Sequence, residues 1–122
     1  MTFLSGFEAR FVRANGIRIH TWTGGTGPAV VLLHGYPQSG ILWRKVVHEL
    51  ARHYTVVVPD LRGYGESDKP RDGFDKKSMA ADIHAVMTSL GHARYRVVGH
   101  DRGARVSHRL ALDQPQAVTL YV

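Results

Sequence analysis

Val97-Val98-Gly99-His100-Asp101-Arg102-Gly103 is the stretch on which the fold turns. A core strand from Tyr95 to Val98 enters a Gly-x-Asp-x-Gly turn, and a helical pattern from Arg102 to Asp113 follows at once. A strand passing into a helix through so short a turn lifts one side chain, that of Asp101, above the end of the sheet. Glycines at 99 and 103 allow the tight turn and the close approach of strand and helix. The Asp101 carboxylate also meets the helix N-terminus, whose free N–H groups favour negative charge. The plain alternative is that Asp101 caps this helix, a position that aspartate favours.

Upstream, the pattern alternates between strand and helix. Phe7–Ala14 and Ile17–Thr23 are two extended runs separated by Asn15-Gly16, a dipeptide suited to a two-residue hairpin turn. Ala29–Leu33 is a continuous apolar run, as expected of a strand buried on both faces, and Tyr54–Val58 reads as a second buried strand. Between them, Ile41, Leu42, Val46, Val47, Leu50 and Ala51 recur at helical spacing, which predicts a helix over 41–52. The segment from Asp60 to Asp75 is rich in glycine, proline and charge and reads as a loop. Ser78 is the expected cap of a helix reaching Leu90 and stopped by Gly91. Pro115 ends the helix after Asp101, and Val118–Val122 reads as a last strand. A hairpin followed by βαβαβαβ predicts an α/β fold, a doubly wound sheet with right-handed crossovers.

Composition narrows the function classes. The 122 residues suffice for one domain, hydrophobic residues make up 43% and charged residues 21%, and no tract is of low complexity. With no cysteine, disulfide and thiolate chemistry are excluded. Sixteen Lys and Arg against ten Asp and Glu give a formal charge of +6. The positive residues are scattered from Arg10 to Arg109 without interleaved aromatics, so they read as a solvated surface, not a nucleic-acid interface. No signal-like start or membrane-length apolar run is present, so the expectation is a soluble, cytoplasmic protein.

Two further segments complete the pattern. His34-Gly35-Tyr36-Pro37 follows the first core strand, and Pro59-Asp60-Leu61-Arg62-Gly63-Tyr64-Gly65-Glu66-Ser67-Asp68 follows the second. With the Asp101 turn, and in this order, they resemble the α/β-hydrolase superfamily over essentially the whole chain. The resemblance implies that Asp101 is the nucleophile. It also implies that the Tyr36 and Arg102 amides are the oxyanion-hole donors. An aspartate at this position is similar to the dehalogenase and epoxide-hydrolase branch. The chemistry agrees, because a carboxylate is already ionised near neutral pH and attacks an sp³ carbon without a base.

Arg102 and Arg105 narrow the resemblance. Haloalkane dehalogenases and epoxide hydrolases usually carry an aromatic residue after the nucleophile, whereas Asp-Arg-x-x-Arg resembles haloacetate (fluoroacetate) dehalogenases. That resemblance implies that both guanidinium groups grip a substrate carboxylate, with Tyr36 beside them, and that no metal or other cofactor is used. An arginine fork suits a planar carboxylate; the alternative is that Arg102 and Arg105 are ordinary surface charges. His34 is expected to support its loop, and His100 to be structural. His48, His53, His84, His92 and His108 show no ligand-like convergence, and Asp60 and Arg62 are expected to brace their loop.

In the family the catalytic acid, the histidine and the cap domain lie C-terminal to the nucleophile. The expectation is therefore the N-terminal part of one core domain, incomplete for turnover, with a small carboxylate as substrate. Two rivals remain: an epoxide-hydrolase segment, and a non-catalytic fragment that binds a partner or self-associates through an open sheet edge.

Overall fold

The computed structural model describes residues 6–122. Six strands form one sheet: β1 (Glu8–Ala14), β2 (Ile17–Gly24), β3 (Ala29–Leu33), β4 (Thr55–Pro59), β5 (Tyr95–Gly99) and β6 (Val118–Tyr121). Their order is β1-β2-β4-β3-β5-β6. The β1–β2 hairpin is antiparallel and joins β4 antiparallel, while β4, β3, β5 and β6 run parallel. Asn15 (φ 53°) and Gly16 (φ 85°) turn the hairpin with both residues left-handed, as the two-residue turn requires.

The apolar strands are buried on both faces because successive side chains point to opposite sides of the sheet. Val31, Leu33, Val57 and Val97 face a core shared with α2 (Lys76–Ser89) and α3 (Arg102–Asp113), through Ile83, Val86, Met87, Val106 and Leu110. Val30, Leu32, Val56 and Val58 face the other way, onto Trp22 and onto Val47 of the short helix α1 (Val47–Leu50). Helical structure thus covers both faces, the doubly wound arrangement.

Two local expectations are corrected. The helix expected over 41–52 is instead a 3-10 turn at Gly40–Trp43 followed by the four-residue α1. Here the Leu42, Arg44 and Val46 amides bond three residues back, and four-back bonding begins only at Leu50. Gly40 N–H is held by the buried Asp60 Oδ1 at 2.7 Å, so the segment enters pinned to the sheet and winds tightly. The cap of α2 is Asp75, not Ser78: Asp75 Oδ2 accepts the Ser78 N–H at 2.9 Å. The helix starts one residue after Asp75, which makes Ser78 the N3 position whose free amide the cap satisfies. That bond, with a second from the Ser78 hydroxyl, holds the Asp75 carboxyl below the usual aspartate range.

The loop after β4 is fixed from below. Arg62 is buried and makes a two-pronged ion pair with Asp82 of α2, Nε–Oδ2 at 2.7 Å and Nη2–Oδ1 at 2.8 Å. It also donates to the Asp72 carbonyl at 3.0 Å, and the Asn15 side-chain amide donates to Asp82 Oδ1 at 3.0 Å. Hairpin turn, loop and α2 therefore share one buried polar network.

Candidate active site

The site is assembled by the parallel pairing of β3 and β5. Leu33 lies opposite Gly99, so both strands end level and release their loops side by side. The His100 amide continues the ladder by donating to Leu33 O at 3.0 Å. Backbone then packs on backbone. A Cβ on Gly103 would fall 2.2 Å from Leu33 O and 2.4 Å from His34 O, and one on Gly35 would fall 2.5 Å from Asp101 Cβ. Neither contact is relieved by rotating a side chain. Gly103→Ala is therefore expected to lower stability by about 1–3 kcal/mol or more, through strain where strand and helix meet. Urea unfolding checks this.

Asp101 sits in the turn at φ 57° and ψ −119°, a conformation that L-residues rarely adopt. It occupies the residue before α3 yet makes no helix-capping hydrogen bond, so capping does not account for it. Its Oδ2 accepts the Tyr36 N–H at 3.1 Å. That donation, followed by the Arg102 N–H, holds the Asp101 carboxyl below the usual aspartate range against the opposing effect of desolvation, and the charge of Arg102 acts in the same direction as the amides. An exposed, ionised carboxylate thus stands at the C-terminal edge of the parallel strands, with the Tyr36 and Arg102 amides donating to it and the first of them fixing Oδ2. Such a group can attack an electrophilic carbon through its other oxygen.

Arg102 and Arg105 are both exposed on the first turn of α3. The Arg102 guanidinium lies over the Tyr36 ring, 4.8 Å from its centroid. Neither arginine forms an ion pair with a carboxylate among the described residues. Tyr36 is 58% exposed, and its ring meets the Tyr64 ring edge-on at 6.1 Å. Tyr64 in turn meets the His34 ring at 5.3 Å.

His34 is a brace. It is wholly buried; its Nε2 accepts the Leu61 N–H at 2.9 Å, which leaves Nδ1–H to donate to Gly35 O at 2.8 Å. Burial lowers its pKa, so it stays neutral in that tautomer. Among the described residues no histidine ring is hydrogen-bonded to Asp101. Asp60 braces as well: its carboxylate accepts Gly40 N–H and Glu66 N–H at 2.7 and 3.1 Å and pairs with His20 Nδ1 at 3.0 Å. These bonds tie together the two walls of an open groove of about 530 Å³ beside Tyr36, lined by Pro37, Ser39, Leu42, Arg44 and Tyr64 among others.

Reasoning on the sequence named Asp101, Arg102, Arg105 and Tyr36, and the fold brings Asp101, Arg102 and Tyr36 into contact. It missed the side-chain role of Tyr36, the Tyr64 ring behind it and the His20–Asp60 pair, whose members lie far apart in the chain with no local signal. Among the described residues no cluster of three or more His, Asp or Glu could hold a metal ion, and no helix is long and apolar enough to cross a membrane.

Residues 28–122 match the family of the alpha/beta hydrolase fold. The chain is 47% identical over 118 residues to a fluoroacetate dehalogenase from Burkholderia sp, covering 93% of this chain and 39% of that protein. It is also 47% identical over 104 residues to a soluble epoxide hydrolase from Corynebacterium sp. (strain C12), covering 85% of this chain and 36% of that one. In structure it is similar to an epoxide hydrolase from Vigna radiata, with a TM-score of 0.92 and 37% identity, across 97% of this chain and 39% of that chain. The chain thus spans about two fifths of the length of the relatives it matches. Sheet order, the strand-to-helix turn at Asp101 and these matches agree: the chain belongs to the α/β-hydrolase family.

Proposed function

We propose that this chain carries the nucleophile and the carboxylate clamp of a hydrolase that removes halide from short 2-haloacids. The observation that supports this best is an ionised Asp101 followed directly by Arg102, a cation left without a carboxylate partner beside it. In this reading the free Asp101 oxygen attacks the carbon that bears the halogen. The carbon–halogen bond breaks as the ester bond forms, and the halide leaves with the bonding pair. Oδ2, held by the Tyr36 N–H, becomes the ester carbonyl oxygen. When water adds to that carbonyl the same amide, with that of Arg102, faces the oxyanion. A general base of the whole protein takes one proton of that water; collapse of the adduct passes the other to the departing alkoxide oxygen, releases the 2-hydroxy acid and restores the carboxylate. Arg102 and Arg105 bind the substrate carboxylate meanwhile, each charge-assisted hydrogen bond contributing about 1.5–3 kcal/mol.

Halide release from chloroacetate tests the reading in the protein that carries this segment. Arg105→Ala is expected to raise KM roughly tenfold or more, with a smaller change in kcat, because uniform binding of the carboxylate is lost. Unchanged kinetics in both Arg102→Ala and Arg105→Ala would remove the clamp.

A second reading, opening of an epoxide by the same carboxylate, has the equal identity to a soluble epoxide hydrolase in its favour. A neutral epoxide and chloroacetate assayed side by side separate the two.

A further inference from the structure

Asp101 and Arg102 are opposite charges on adjacent residues, both exposed, yet they do not pair; the carboxylate turns to the Tyr36 N–H and the guanidinium to the Tyr36 ring. We propose that the Tyr36 ring is a positioning platform that keeps Arg102 off the nucleophile and holds it ready for a substrate carboxylate. This inference rests on the clamp reading given above.

The reasons are geometric. An arginine side chain is long and flexible, and a carboxylate one residue away is its natural partner. Pairing there would engage the oxygen that must attack and occupy the cation that must bind. A planar guanidinium can instead stack on an aromatic face, with the centroid distance of 4.8 Å well inside the range of such contacts. The platform is itself fixed at two points, one of them backed by a buried histidine. Its own amide donates to Asp101 Oδ2. Its ring abuts Tyr64, and Tyr64 abuts the buried His34, both of whose ring nitrogens are bonded. One residue thereby serves both charges, through its backbone for the anion and its ring for the cation. The stacking needs the ring face and not the hydroxyl, so phenylalanine should serve and leucine should not.

The test is binding of glycolate to the full chain, followed by NMR of the Arg102 Nε–H. In the wild-type chain and in Tyr36→Phe, this proton is expected upfield, shifted by the ring current, with glycolate affinities within about twofold of each other. In Tyr36→Leu the ring-current shift disappears, and glycolate binds about fivefold more weakly as Arg102 turns onto Asp101. Tyr36 is exposed, and an unchanged amide spectrum elsewhere verifies that the leucine variant is folded. An Arg102 Nε–H that does not move in Tyr36→Leu overturns the platform, and so does undiminished glycolate binding in that variant. A wild-type chain that does not bind glycolate overturns it too. If the shifts and affinities follow expectation but the protein that carries this segment releases no halide from chloroacetate, the platform stands and the haloacid reading falls.

Discussion

Exposed to bromoacetate, the 122-residue chain is expected to take up one carboxymethyl group, on Asp101, and then to stop. Attack needs no base because the carboxylate is already ionised. Cleavage of the resulting ester needs a general base to activate water, and no described histidine is hydrogen-bonded to Asp101. Intact-mass spectrometry reads the single addition and peptide mapping places it, with alkylated histidine as the side reaction to exclude. Asp101→Asn is expected to slow that addition roughly a thousandfold or more, since an amide oxygen is a far poorer nucleophile. The pH profile carries a sign as well. Hydrogen bonds from Tyr36 and Arg102 lower the Asp101 pKa, so the reactive anion persists as pH falls through the ordinary aspartate value of 3.8. The rate of addition is expected to decline only below it. Glycolate accumulating over many cycles would show that a base within this chain had been overlooked.

Arg62→Ala is expected to cost about 3–5 kcal/mol of stability, the largest loss of any single substitution considered. The side chains of Arg62 and Asp82 are 7% and 1% exposed. Removing the arginine leaves a buried carboxylate with only the Asn15 amide to offset it. It also frees the Asp72 carbonyl. The Asp82 hydrogen bonds raise the Arg62 pKa further still, so the guanidinium keeps its charge. Denaturant unfolding measures the loss. Replacing both partners together, as Arg62→Met with Asp82→Leu, is expected to recover part of it, because no buried charge is then left alone. A double variant less stable than Arg62→Ala would indicate that the network, not the uncompensated charge, sets the cost.

Most of the parallel core was legible before any coordinates, because Ala29–Leu33 is apolar on both faces, Tyr54–Val58 and Tyr95–Val98 are nearly so apart from Thr55 and Arg96, and sheets covered on both sides use such strands. The Asp101 turn was equally plain, since its glycines are demanded by contacts of their own backbone with neighbouring chain. What sequence could not supply was pairing at a distance. The periodicity over 41–52 promised a continuous helix, but the anchor that breaks it is Asp60 on Gly40, a contact from the loop after β4. Asp82 did carry a signal. It lies within the apolar stripe of Met79, Ile83 and Val86, where a carboxylate demands a buried partner, although nothing local says that the partner is Arg62. Tyr36 was read for its amide alone, because the placement of its ring depends on Tyr64 and on how α3 leaves the sheet.

The level ending of β3 and β5 acts as a ruler for the chemistry. Since Leu33 faces Gly99, Asp101 meets the Tyr36 amide only while both strands keep their present lengths. One residue inserted into either would move its loop by about 3.3 Å and turn alternate side chains to the opposite face. Drift in length is therefore barred along these two strands, and descendants of this sequence can grow or shrink only in segments that lie off the ruler, such as the turn between β1 and β2 or the connection from α3 to β6.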